Sequence, residues 1–153
     1  MIKSTTVRLL IVFTVLALLK ACPSKADSLA TQAVYLGFKA PTLVYTTIDD
    51  IAKLYGLNPK IMLSVAIIES GLRPNAMNHN VNGTYDIGLF QINTATAKED
   101  CPEFNILNLR GNAMCAAKLM SKHKATKDPY WIGRYHSAKP DRKLNYYRKV
   151  MGL

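Results

Sequence analysis

Residues 67–76, IIESGLRPNA, place a single carboxylate at the end of an apolar run. Residues 61–68 carry no charge, and Glu69 follows them, with Ser70 and Gly71 next. The run predicts a helix that is buried on nearly every side and ends at the glycine. A desolvated carboxylate is destabilising there unless it is paired or protonated. The stretch therefore indicates either a glutamate that turns out to water or an acid that keeps its proton.

An acid that keeps its proton has a chemical use. The negative end of the helix dipole and the apolar neighbours both disfavour the ionised form, so we expect the pKa of Glu69 to be raised. A glutamate with a raised pKa can donate a proton at neutral pH. Glycoside cleavage requires such a donor, because an alkoxide leaves poorly unless it is protonated. Glu69 is therefore a candidate general acid.

Most of the remaining chain shows helical patterns. Thr46 or Thr47 is suited to cap a helix through Tyr55, and Asn58 with Pro59 is suited to open the next one. In the last helix we expect Leu144, Tyr147 and Met151 to face inward. The predicted helices cover 46–55, 59–69, 94–98, 108–123, 128–135 and 141–150, while 28–45 is interpreted as helix or coil.

One segment shows a different pattern. Asn82-Gly83 is a hairpin-turn signal, and residues 84–87, TYDI, suit a short strand. A small β-ribbon is therefore expected inside an otherwise helical domain. The predicted fold class is α+β, mainly α.

The first 26 residues have the pattern of a secretory signal peptide. Lys3 and Arg8 precede an eleven-residue apolar run, 9–19, and small residues precede a cleavage point before Asp27. The run is shorter than the ~20 residues needed to span a bilayer. We expect a signal peptide at 1–26, a single domain at 27–153 and a periplasmic location.

Cysteine 22 allows a second interpretation of the leader. Residues 19–22, LKAC, loosely resemble a lipobox, but Lys20 fits that box poorly, so we expect cleavage before Asp27 rather than lipidation of Cys22. Cleavage would remove four basic residues and no acidic ones, lowering the formal net charge from +10 to +6.

Cleavage would also leave Cys101 and Cys115 as a pair, which in an oxidising compartment indicates a disulfide. The alternative is two reduced, buried thiols. The chain contains no CxxC or HExxH spacing, and His79, His123 and His136 are scattered, so we expect neither a metal site nor a cofactor.

Basic residues are concentrated late in the chain. Residues 118–149 contain ten Lys and Arg side chains against Asp128 and Asp141. This surface is either a solvated helix face or a contact for an anionic polymer. Nucleic acid is not expected as a partner, because no nucleic-acid motif accompanies the charge.

Three ordered motifs resemble one family. ESGLRPNA (69–76), GLFQIN (88–93) and GRYHS (133–137) are similar to motifs of the soluble lytic transglycosylase (SLT) domain, and NYYRKV (145–150) agrees with its end. The resemblance covers roughly 45–151. The length and wording look most like the small transglycosylases of type III and type IV secretion, conjugation and pilus systems.

The resemblance implies a lysozyme-like fold with the β-ribbon beside a catalytic cleft. It implies cleavage of the bond between N-acetylmuramic acid (MurNAc) and N-acetylglucosamine (GlcNAc) in peptidoglycan without water. Glu69 would protonate the glycosidic oxygen and then act as base for the C6 hydroxyl, closing a 1,6-anhydro ring. Ser70 would orient the acid or bind substrate, Gln91 would bind sugar amides, and Tyr135 would bind substrate beside the acid. Peptidoglycan strands and components of a secretion, conjugation or pilus machine are the implied partners.

The sequence departs from the family pattern at two positions and leaves two alternatives open. Phe90 stands where methionine is common, and His136 where the wider family has asparagine. Asp86 lies in a strand that also resembles one in animal lysozymes, where an aspartate is the second carboxylate. A hydrolytic lysozyme using Glu69 and Asp86 is therefore the alternative enzyme, although a sugar-binding or turn-supporting Asp86 is favoured. A wall-binding assembly factor without chemistry is the alternative from another class, and the intact Glu69, Ser70 and Gln91 weigh against it, because a pure binder does not need a buried acid.

Overall fold

The computed structural model of the protein describes residues 25–153. The expected signal peptide and the question of lipidation at Cys22 therefore concern residues that lie outside the described part, apart from Lys25 and Ala26. Within 25–153, no helix combines the length and the apolar character that crossing a membrane would require.

The described chain forms six α-helices, one short 3-10 helix and a three-stranded antiparallel sheet. In chain order these are α1 (Lys25–Tyr35), α2 (Thr42–Leu54), α3 (Pro59–Ser70), β1 (Met77–His79), β2 (Tyr85–Ile87), β3 (Ile92–Asn93), α4 (Thr94–Asp100), α5 (Leu109–Lys124), the 3-10 helix (Trp131–Tyr135) and α6 (Pro140–Met151). The predicted α+β, mainly α, fold class is confirmed.

Helix α3 lies at the centre of the hydrophobic core. Asn58 caps it by accepting a hydrogen bond from the Lys60 backbone N–H, and Pro59 occupies its first turn. Residues 62–66 are buried, as expected for a helix that is apolar all round. Gly71 ends the helix in the left-handed conformation (φ 61°), which glycine adopts without steric cost. The prediction for this helix is confirmed at both ends.

Helix α2 begins four residues before its predicted start. It follows Pro41, and Thr46 lies inside it, with its hydroxyl donating to the carbonyl of Leu43, 3.1 Å away. A threonine can bond to its own helix in this way as well as cap one. The prediction mistook a back-bonded threonine for an N-cap.

The sheet has the strand order β1-β2-β3. The expected hairpin is present, with β1 and β2 paired so that Asn78 lies opposite Asp86. The third strand was not predicted, because Ile92–Asn93 is too short to show an alternating pattern. Its pairing with β2 places Asn93 opposite Asp86 as well. Asp86 is thus flanked by two asparagines across the sheet.

The C-terminal region differs from its prediction in two respects. The helix expected at 128–135 is a 3-10 helix of five residues, and Asp128 lies ahead of it. In α6 the buried side chains are Tyr146 and Val150, whereas Met151 is exposed. The inward face had been placed one position away, because the helix is so rich in charge that its short apolar face is hard to identify.

A disulfide joins the end of α4 to α5. Cys101 and Cys115 are both fully buried, with their Cα atoms 5.5 Å apart and a sequence separation of 14. The predicted pairing is confirmed.

Replacing both cysteines by alanine should lower the free energy of unfolding by about 3 kcal/mol, because closing this loop restricts the unfolded chain. Urea unfolding of both proteins under non-reducing conditions measures the difference. Alkylation of two thiols in denatured, unreduced wild-type protein would contradict the bond itself.

Candidate active site

Two adjoining cavities meet at Glu69. The first, of about 480 Å³, lies toward the sheet and is lined mainly by polar side chains of 78–96 together with Tyr135. The second, of about 420 Å³, lies between the end of α3 and α6. Glu69 and His136 line both. We call them the sheet-side cavity and the α6-side cavity, and together they form one cleft with the acid at its centre.

Glu69 is in the last turn of α3 and is partly buried. Burial raises the pKa of its carboxyl group, a hydrogen bond from Tyr146 acts in the opposite direction, and the negative charge of Asp86 adds to the rise. The net effect favours the protonated form. The direction agrees with the expectation from sequence, although the charge that contributes is that of Asp86.

Tyr146 of α6 contacts the Glu69 carboxyl group from the α6-side cavity. Its phenol donates a hydrogen bond to Oε1 of Glu69, and its ring stacks on His136 with the centroids 5.0 Å apart. Burial and the neighbouring Glu69 raise the pKa of Tyr146, so the phenol stays neutral and remains a donor. A donor on Oε1 leaves the other carboxyl oxygen to carry a proton toward the cleft.

Sequence reasoning missed Tyr146. It favoured the adjacent Tyr147, which is only partly buried and makes an edge contact with Tyr130. The available signal was the spacing of Tyr146 and Val150, four residues apart in a helix otherwise dominated by charge. That spacing places both residues on one helical face.

Ser70 does not lie in the cleft. Its side chain is only 3 % exposed and lines neither cavity. The hydroxyl donates to the carbonyl of Leu89, 2.8 Å away, and accepts a hydrogen bond from the Arg73 backbone N–H. The structure thus places Ser70 outside both cavities, and of its two expected roles, substrate binding and orientation of the acid, its contacts favour the second. Ser70 joins the end of α3 to the turn that follows β2.

That turn, residues 88–91, is held by a buried asparagine that the sequence analysis did not single out. Oδ1 of Asn112 accepts from the Phe90 N–H at 2.9 Å, and Nδ2 donates to the carbonyl of Ile87 at 2.8 Å. Gly88 has φ 78°, and a Cβ on it would lie 2.6 Å from Nδ2 of Asn112. The turn thus requires glycine at 88 because the asparagine approaches so closely. An asparagine among the alanines of α5 was the available signal.

Gln91 lies in the sheet-side cavity, where the resemblance had placed it. Its backbone adopts a positive φ of 47°, and Nε2 donates to the carbonyl of Gly88, 2.9 Å away. These features turn the side chain back over the loop and fix its position on the cleft wall.

Tyr135 also lies on the sheet-side cavity, in the 3-10 helix. Its hydroxyl donates to the carbonyl of Phe90 at 2.9 Å. Burial, with a further contribution from Glu69, raises the pKa of Tyr135 well above its ordinary value. The ring therefore stands beside the acid as a neutral phenol, and it ties the 3-10 helix to the 88–91 turn.

Asp86 supplies a second carboxylate to the sheet-side cavity. Its Oδ1 accepts a hydrogen bond of 2.8 Å from Nδ2 of Asn93, which also donates to Thr84. The strand pairing therefore holds Asp86 in a polar network, close enough for its charge to affect Glu69.

Among residues 25–153, no three His, Cys, Asp or Glu side chains are grouped so that they could hold a metal ion. The side chains of the cleft instead supply a proton donor at Glu69, a neutral phenol on each side of it, and several amides. This arrangement can deliver a proton to a bound oxygen and take one back.

The raised pKa of Glu69 has a consequence for stability. An acid with a raised pKa in the folded state destabilises that state once the pH exceeds the unfolded-state value, about 4.3. Glu69→Gln protein should therefore have a higher free energy of unfolding than wild type. The difference between the two should be smallest at acidic pH, increase above the unfolded-state pKa and level off above the folded-state pKa. Urea unfolding across the pH range measures it.

Glu103→Gln is the matched control. The hydrogen bond from Lys118 lowers the pKa of the exposed Glu103, so that replacement should lose, rather than gain, stability as the pH rises. A gain for Glu69→Gln that does not depend on pH would contradict a buried, proton-retaining acid.

Comparison with known proteins agrees with this geometry. A family model of the SLT type, described as a lysozyme-like domain, matches residues 50–131. The match runs from within α2 to the start of the 3-10 helix and includes Glu69, Asp86 and Gln91. No curated protein matches the chain. Because the match covers more than half of the chain and contains the buried acid and the sheet beside it, the chain belongs to the SLT family of lysozyme-like domains.

Proposed function

We propose that this protein is a peptidoglycan lytic transglycosylase. It cleaves the β-1,4 bond between MurNAc and GlcNAc and leaves a 1,6-anhydroMurNAc end. The observation that carries the proposal is the setting of Glu69, a carboxyl group whose pKa is raised by burial and which is held by a neutral phenol at the centre of a cleft. A lysozyme-like domain is consistent with an enzyme that acts on peptidoglycan.

The first step is protonation of the leaving group. Glu69 gives its proton to the glycosidic oxygen, and the bond from that oxygen to C1 of MurNAc breaks as positive charge develops on the sugar. The carboxylate that forms keeps its hydrogen bond from Tyr146. The negative charge of Asp86 in the same cavity favours the developing positive charge.

The second step closes the anhydro ring. The Glu69 carboxylate accepts the proton of the C6 hydroxyl of the same MurNAc, and the C6 oxygen bonds to C1. The glutamate ends the cycle protonated, as it began, and no water is consumed. A single carboxyl group therefore carries both proton transfers.

The sheet-side cavity suits an uncharged sugar. Its lining includes the amides of Asn78, Gln91 and Asn93 and the hydroxyl of Thr96. Such groups donate to and accept from sugar hydroxyls and acetamido groups. In this proposal Gln91 and Tyr135 bind substrate, and Ser70 supports the site by anchoring the 88–91 turn.

A hydrolytic lysozyme is the second candidate. It is favoured by one observation, that Asp86 lines the cavity of Glu69 and its charge acts on the acid. A hydrolase needs a second carboxylate to direct water or to attack C1. We favour the transglycosylase because Asp86 is already engaged by Asn93 within the sheet, which suits a supporting or sugar-binding role.

The proposed setting is the periplasm, after removal of residues 1–26. There the enzyme would open the wall locally for a secretion, conjugation or pilus apparatus. The resemblance of the GLFQIN segment and its surroundings to enzymes of such systems motivates this role.

Activity separates the roles of the two carboxylates. Glu69→Gln should lower the release of soluble glycan from purified peptidoglycan by roughly 10²–10⁴-fold, as expected for loss of a general acid. Asp86→Asn should keep a substantial part of the activity, and the exposed Glu103→Gln should keep all of it. Equal damage from Asp86→Asn and Glu69→Gln would favour the lysozyme.

The reaction products provide an independent test. Mass spectrometry of the digest should find glycan ends that are one water lighter than reducing ends and resist borohydride reduction. Mainly reducible ends would show hydrolysis, and would overturn the transglycosylase assignment.

Tyr146→Phe tests the partner of the acid. Since the hydrogen bond from Tyr146 lowers the pKa of Glu69, removing it should raise that pKa and move the alkaline limb of the pH–rate profile to higher pH. The maximal rate should fall by about five- to thirtyfold as the carboxyl group loses its anchor. Tyr147→Phe, at the neighbouring position, should change neither quantity. A lower rate with an unmoved limb would mean that Tyr146 has only a packing role.

A further inference from the structure

We propose that the α6-side cavity binds the carboxylates of a peptidoglycan stem peptide, so that the enzyme prefers glycan strands that carry these peptides. The inference rests on the proposed function and extends it, because it assigns a substrate group to the half of the cleft that the reaction scheme leaves unused.

One face of α6 forms the wall of this cavity. Arg142, Asn145, Tyr146 and Lys149 line it, at positions i, i+3, i+4 and i+7 of the helix. That spacing aligns their side chains along one side of a helix. Tyr146 contacts Glu69, and Arg142 and Lys149 precede and follow Tyr146 on the same helical face.

The two cations have no acidic partners within residues 25–153. Neighbouring cations differ in this respect: Lys143 of α6 binds the carboxylate of Asp128 at 2.8 Å, and Arg134 of the 3-10 helix binds it at 2.9 Å. Neither Arg142 nor Lys149 makes such a pair in the described part of the chain, and both are exposed. Their charges are therefore available to a ligand in the cavity.

The two halves of the cleft differ in charge. The sheet-side cavity contains amides, hydroxyls and the carboxylate of Asp86, whereas the α6-side cavity adds Arg142 and Lys149 to the shared Glu69 and His136. The cations of the cleft therefore lie on the α6 side of Glu69, and the second carboxylate, Asp86, lies on the sheet side.

Peptidoglycan presents a matching asymmetry. Its sugars are uncharged when the lactyl group of MurNAc is joined to a stem peptide, and the free carboxylates lie on that peptide. Arginine binds a carboxylate through two parallel hydrogen bonds, and lysine adds a point charge. A strand placed across Glu69 would therefore set a neutral sugar against the amides and direct a peptide carboxylate to the cationic wall.

The test compares three forms of purified glycan strands. The first carries native stem peptides, the second carries the same peptides with their carboxylates blocked as amides, and the third has lost the peptides to an amidase, which exposes the lactyl carboxylate.

Binding is measured with Glu69→Gln protein, so that no cleavage occurs. The test variant adds Arg142→Gln and Lys149→Gln to that background. The control adds Arg148→Gln and Lys60→Gln, exposed residues that remove the same charge away from the cavity.

The test variant should bind native strands about five- to thirtyfold more weakly than its Glu69→Gln parent, as expected for two exposed ion pairs. The loss should shrink at high salt, and neither blocked nor amidase-treated strands should show it. The control should bind all three forms as its parent does. Equal binding of native strands by the test variant and its parent would overturn the proposal. A loss that persists on amidase-treated strands would also overturn it, by assigning the site to the lactyl carboxylate.

Activity assays with the same substitutions in protein that retains Glu69 separate this inference from the proposed function. Arg142→Gln with Lys149→Gln should still give anhydro ends as the products from amidase-treated strands. If the wild-type protein yields no anhydro ends while the binding difference is present, the reaction is wrong and the peptide site stands.

Discussion

The burial of α3 is the constraint on which the rest of the structure depends. Residues 62–66 are buried, and α1, α2 and α6 pack against this helix. Because the helix ends at Gly71 just as it reaches the cleft, its one acidic residue, Glu69, stays partly buried in the last turn. The raised pKa of Glu69 thus follows from where the helix stops. If the helix continued past Gly71, Glu69 would no longer lie in its last turn.

Hydrogen bonds hold the 88–91 turn, which forms part of the cleft wall, in place next to the end of α3. Ser70 binds the Leu89 carbonyl, Asn112 binds the Phe90 N–H, and Tyr135 binds the Phe90 carbonyl. Three separate elements therefore hold one short loop. Buried backbone groups require such partners, and each partner here also determines the position of a cleft residue. Asn112 and Ser70 thus help to position the cleft wall through the loop that they hold.

Ion pairs hold together the two C-terminal elements that form part of the cleft, the 3-10 helix and α6. Asp128 accepts from Lys143 and Arg134, and these hydrogen bonds hold its pKa well below the usual range. The carboxylate thus joins the 3-10 helix to α6, and α6 can present Tyr146 to Glu69. Several basic residues of this region have structural partners, whereas Arg142 and Lys149 face the α6-side cavity without one among the described residues.

Local sequence determined the elements whose signals are short-range. The cap at Asn58, the stop at Gly71, the turn at Asn82-Gly83 and the apolar run before Glu69 each act through neighbouring residues, so α3 and the hairpin could be predicted. The raised pKa of Glu69 could be predicted for the same reason, because a carboxylate that ends an uncharged run, residues 61–68, is anomalous wherever the helix packs.

Tertiary structure decided what depends on contacts between distant segments. Tyr146 reaches Glu69 across 77 residues, and Asn112 reaches Phe90 across 22. Such pairings leave no periodic trace in either segment. The same holds for Ser70, whose motif position suggested substrate contact but whose hydroxyl is taken by Leu89. The sequence alone indicated Glu69 as the carboxyl group whose pKa is raised. Packing decided which side chains hold it, because burial and hydrogen-bond geometry arise only when separate helices meet.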